Sequence, residues 1–152
     1  MWEEFRSLAL PLLGQHFPPE LIEDNGDSIV FTSRRDYTSY VLTEAERGII
    51  IAYEGERNTV VPFCITKSPE LATTCLTLLA RDGIATLTDM SYTPRDLLGP
   101  VPHTAFTISK KSPPFFELTS TIDPTLSAKC RSFACARAMA EASAPSPDSP
   151  RP

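Results

Sequence analysis

The sequence is poor in the residues that acid–base and metal chemistry most often draw on. Its 152 residues hold two histidines, His16 and His103. Neither adjoins a nucleophile in sequence, which argues against Ser-His or Cys-His catalysis. The four cysteines, Cys64, Cys75, Cys130 and Cys135, form no C-x-x-C pair. A structural zinc site is therefore disfavoured, and in a reducing compartment Cys64 and Cys75 are expected to act as small buried hydrophobes. The six glycines are scattered at turns and build no G-x-G-x-x-G, P-loop or G-x-S-x-G, so neither a phosphate cradle nor a nucleophile elbow is supported. Long apolar runs are also missing. Stretches such as Ile49 to Tyr53 are strand-sized, far below the roughly 18 residues of a membrane span. Residues 1–13 carry Glu3 and Glu4 rather than the basic start and apolar core of a secretion signal. A cytoplasmic protein is expected, with no membrane partner. Positive charge is scarce as well: 14 Lys plus Arg stand against 19 Asp plus Glu, a net charge of −5, which argues against nucleic acid as a partner. No metal and no cofactor are expected.

What is present reads as one folded domain over residues 1–142, long enough to bury about two thirds of its unfolded surface. Trp2, Phe5, Leu8, Ala9, Leu12 and Leu13 recur at three- and four-residue intervals, predicting an amphipathic N-terminal helix. Pro11 is expected to kink or end it near Leu10, and Pro18-Pro19 to close the segment. Asn25-Gly26 predicts a hairpin turn before a strand at Ser28 to Ser33. Tyr37 to Glu44, Ile49 to Glu54 and Thr59 to Ile65 are expected strands, joined by connections too short for parallel crossovers, so an antiparallel meander is favoured. Pro62 cannot donate to a ladder, which places the last of them at an edge or on a bulge. Ser68-Pro69-Glu70 is a helix start, Leu71 to Leu79 gives the helix an apolar face, and Gly83 is a fitting terminator. A smaller C-terminal α/β half is expected next: a helical turn at 93–98, strands Thr104 to Ser109 and Phe115 to Thr121, and a helix within Thr125 to Ala142. The Pro- and Ser-rich residues 143–152 read as a disordered tail. The fold class is α+β, a meander packed against a helix.

Two charged loop tips are the candidate site. Arg34-Arg35-Asp36 joins two strands and Glu54-Gly55-Glu56-Arg57 joins the next two, so in a meander they share one end of the sheet. Solvated turns are one reading. The other is a recognition rim built from Arg34, Arg35, Asp36, Glu54, Glu56 and Arg57 with Tyr37 and Tyr40, because aromatic and arginine anchors dominate interface energetics. A glycosidase-like pair at Glu54 and Glu56 lacks a cleft in the sequence pattern. Asp24-Asn25-Gly26-Asp27 resembles half a calcium loop without the later ligands, and a hairpin turn explains it better.

Asp24 to Phe31, Arg35-Asp36-Tyr37, Tyr40-Val41-Leu42, Gly48 to Ile51 and Glu56-Arg57 together resemble the core of the immunity protein 61 family, which includes the antitoxin of the tuberculosis necrotizing toxin. Trp2-Glu3-Glu4-Phe5 is similar to its opening helix and Leu71 to Leu79 to its post-sheet helix. The resemblance spans roughly residues 1 to 140. The family's aromatic near Ile49 is absent. The resemblance implies no enzyme but a stoichiometric antitoxin that binds a cognate toxin domain, an NAD-glycohydrolase in the family case, and blocks its active site. The alternatives are a small enzyme of unstated class or a chaperone-like adaptor for a secretion substrate.

Overall fold

A computed structural model describes residues 1–89 and 98–143. The expected turn at 93–98 and tail at 143–152 lie outside these, Leu98 and Ser143 apart. Helix α1, Trp2–His16, runs through Pro11 without the expected break. Pro11 and Ser7 are both exposed, so the carbonyl that loses its partner at the proline is left to water. Trp2, Phe5, Ala9 and Leu13 are buried, while Leu8, expected on the same stripe, is largely exposed.

Strands β1 (Ile22–Asp24), β2 (Ser28–Thr32), β3 (Ser39–Ala45), β4 (Gly48–Glu54) and β5 (Val60–Thr66) form the antiparallel meander that the turn residues predict. Gly26 adopts φ +85 in the first turn. Asp24, the supposed calcium ligand, instead accepts from the Gly26 N–H at 3.0 Å and from Arg6 Nε at 3.1 Å. The Arg6 guanidinium, and then that N–H, hold its carboxyl below the usual carboxylate range. Helix α1 is pinned to the same hairpin by Trp2 Nε1 donating to the Gly26 carbonyl at 2.7 Å.

Strand β5 is central, not at an edge. The register slips at Pro62, where Ile51 faces Cys64 but Ala52 faces Pro62, so the bulge alternative is the one the chain takes. β9 (Ser127–Cys130) pairs β5 on its far side, followed by β8 (Phe115–Ser120), β7 (Phe106–Ser112) and β6 (Gly99–Pro100), giving one nine-stranded sheet. The C-terminal half therefore extends the meander rather than standing beside it. Of the segment Thr125 to Ala142, in which a helix is expected, Ser127–Cys130 is strand and α3 covers only Phe133–Ala142, with Ser132 Oγ accepting from the Cys135 N–H at 3.0 Å as its N-cap.

Helix α2, Pro69–Leu87, starts as expected, with Ser68 Oγ accepting from the Leu71 N–H at 3.1 Å. It breaks at Gly83, whose φ is +82, and resumes for one further turn. Alternate strand residues, Ile29, Leu42, Ile51, Cys64 and Cys130 among them, form a buried row that runs across the sheet into the core shared with the helices. Their neighbours Val30, Val41 and Ile50 lie on the opposite face and are half-buried.

Candidate functional site

Both charged tips lie at one end of the sheet, as the meander requires, because Tyr40 of β3 pairs with Tyr53 of β4 next to where each loop begins. The two tips then differ. In the first, Arg35 Nη1 donates across 46 positions of sequence to the Arg81 carbonyl on α2 at 2.6 Å. Asp36 Oδ1 accepts from the Thr38 N–H at 3.1 Å, and Asp36 Oδ2 accepts from the Tyr40 hydroxyl at 3.0 Å. Tyr40 is buried and stacks on Phe31 with ring centroids 4.9 Å apart. Burial first, and then the Asp36 charge, push its hydroxyl well above the ordinary tyrosine range. Tyr40 and Asp36 therefore serve the fold: they tie the loop to the break in α2, where an added Cβ on Gly83 would lie 3.5 Å from Asp36 Oδ2.

Tyr37 sits between these anchored neighbours and makes the opposite choice. Expected at the start of a strand, it lies instead in the loop with φ +55 and is 88 % exposed. A left-handed backbone at a bulky residue persists only where the surroundings over-determine it. Here the bond from the Thr38 N–H to Asp36 Oδ1 spans the residue, and Arg35 anchors the chain just before it. Arg34 is exposed and meets Glu20 at 3.6 Å.

The second tip, Glu54 to Arg57, is held by its own residues. The Gly55 N–H donates to the Thr59 carbonyl at 2.7 Å, and Thr59 Oγ1 donates to the Glu56 carbonyl at 2.7 Å. Arg57 and Asn58 both take positive φ, +60 and +59. Glu54, Glu56 and Arg57 are exposed.

Beside the first tip is a pocket of about 180 Å³ that the sequence did not reveal. It is bounded by His16 to Pro18 at the end of α1, Leu21, Ser33 to Arg35 and Ala80 of α2. These residues come from four separate segments, so no local pattern marks them. A larger groove of about 540 Å³ on the other sheet face is lined by charges of both signs, Arg47, Lys67 and Lys129 with Glu46 and Glu117.

Cys64 and Cys75 are buried as expected, and so are Cys130 and Cys135. Cys64 and Cys130 are cross-strand partners, and the thiols of Cys130 and Cys135 approach Met139 Sδ at 3.6 and 3.8 Å. Hydrogen bonding to Cys130 and Cys75, followed by burial, pushes the Cys135 thiol well above its ordinary range. Among the described residues no group of His, Cys, Asp and Glu is placed to hold a metal ion, and no helix is long and apolar enough to cross a membrane.

No protein-family model and no curated protein matches the sequence. Among solved structures the chain is similar to Rv3902c from M. tuberculosis, with 10% sequence identity and a TM-score of 0.47, over 76% of this chain and 68% of that one.

Proposed function

We propose that this chain is an antitoxin of the immunity type, which binds a cognate toxin domain stoichiometrically and blocks its active site. The observation that carries the reading is the presentation of Tyr37. An aromatic ring 88 % exposed is carried on a left-handed backbone that the Asp36–Thr38 bond spans, so the backbone has little freedom left to lose on binding. Loop ordering is one of the costs of association, so an aromatic on a pre-ordered loop is well suited to be an anchor. Tyrosine and arginine are among the residues enriched at energetic hot spots, and the exposed Arg34 stands in the same loop. The sequence resemblance supplies the kind of partner, with an NAD-degrading toxin as the first candidate. The chain's net charge of −5 suits a basic partner, since complementary charge speeds encounter.

The test is co-expression with a toxin domain encoded beside this gene, reading host survival and co-purification together. Protection by a one-to-one complex is the expected result. Tyr37→Ala should weaken that complex by about thirtyfold, the scale of a hot-spot residue, with the melting temperature unchanged. Killing despite expression, with nothing co-purifying, rejects the reading for that pair.

A further inference from the structure

The pocket beside Tyr37 has a size and lining that select one kind of occupant. At about 180 Å³ it is below the roughly 300 to 1,000 Å³ of metabolite and cofactor sites, and suits a single amino-acid side chain. Phe17, Pro18, Leu21 and Ala80 give it an apolar wall, and His16, Arg34 and Arg35 bring nitrogen donors to it. No carboxylate is among the described residues that line it, in a chain where acids outnumber bases 19 to 14.

The two arginines are differently prepared. Arg35 is oriented by its bond to the Arg81 carbonyl, and a guanidinium with five N–H donors keeps others to offer. Arg34 is 69% exposed and its contact with Glu20, itself 65% exposed, is 3.6 Å long. An ion pair so open to water contributes little and is readily exchanged for a better carboxylate.

We infer that this pocket receives a glutamate side chain of the partner protein, its methylene stem on the Phe17 and Leu21 wall and its carboxylate on Arg34 and His16. The inference rests on the antitoxin reading and names what that reading leaves open, the chemistry of the partner's contact beside Tyr37.

The probe is N-acetyl-glutamate N-methylamide, titrated into the full chain by NMR, with the isosteric glutamine compound as the comparison. A saturable shift at His16, Phe17 and Ser33 is expected, with a dissociation constant on the order of 1 mM for so small a ligand. The glutamine compound should bind at least tenfold more weakly. Arg34→Glu should abolish the glutamate response, and Arg34→Gln should weaken it about tenfold where charge reversal disturbs the fold. The absence of a saturable shift, equal response to both compounds, or undiminished binding by the Arg34 variants overturns the inference. In co-expression, an Arg34→Glu chain that protects as well as wild type overturns it while the antitoxin reading stands. Failure of wild type to protect rejects that reading, and the titration then decides the pocket separately.

Discussion

The two charged tips at the same end of the sheet look alike in sequence, each a short run of Arg, Asp or Glu between strands, yet they are built on different principles. The tip at Arg34 to Thr38 is fastened to a distant element through Arg35 and the Arg81 carbonyl, and to the core through Asp36 and Tyr40. The tip at Gly55 to Thr59 closes on itself through Thr59 and Glu56. Charge at a loop end thus says nothing by itself about function. What separates the two is whether their polar groups reach beyond the loop, and that decides which residues remain for a partner. In the first tip Asp36 and Tyr40 are consumed by the fold, leaving Tyr37 and Arg34 outward.

The contrast can be broken most forcefully at Tyr40. Tyr40→Ala removes a fully buried ring and should destabilise the protein by about 3 to 5 kcal/mol, read as a lowered urea midpoint. The same hydroxyl predicts a loss at high pH. Because its pKa is raised in the fold, its contribution is complete below the ordinary tyrosine value of about 10 and declines as pH rises beyond it. Tyr40→Phe should lose this alkaline step, and a step that persists in that variant rejects the assignment. Asp36→Ala leaves the Tyr40 hydroxyl without its acceptor and should cost about 1 to 3 kcal/mol, with earlier proteolysis of the loop. The smallest effect belongs to the self-closed tip. Arg57→Gly relieves a positive φ of +60 and should raise stability by no more than about 1 kcal/mol. A loss of more than that would mean Arg57 makes a contact as consequential as those of the first tip.

Much of the fold could be read from local signals. Asn25-Gly26 and Ser68-Pro69 marked a hairpin and a helix start because the chemistry that fixes them lies within a few residues. Gly83 was legible too, as a helix terminator, although the chain turns once more after it. Strand β9 was not, because Leu126, Cys130, Phe133 and Ala134 also fit a helical spacing, and its insertion between β5 and β8 depends on partners some 60 positions away for β5. The site divides the same way. Which tips share an end followed from strand order alone. That Tyr40 would be buried, and Tyr37 turned out, depended on α2 breaking beneath the loop. The pocket depended on four segments meeting, which no single window of sequence contains.

The burial of all four cysteines has a practical consequence for following this protein as it opens. Cys64 sits on β5, Cys75 on α2, Cys130 on β9 and Cys135 on α3, all within one core, so the thiols report where the sheet and the helices part. Alkylation read site by site by mass spectrometry should be negligible in the folded chain. If the helices and the sheet part in one cooperative event, all four should be modified at a single rate. Earlier labelling of Cys130 and Cys135 than of Cys64 and Cys75 would instead show α3 parting from β9 before α2 parts from β5.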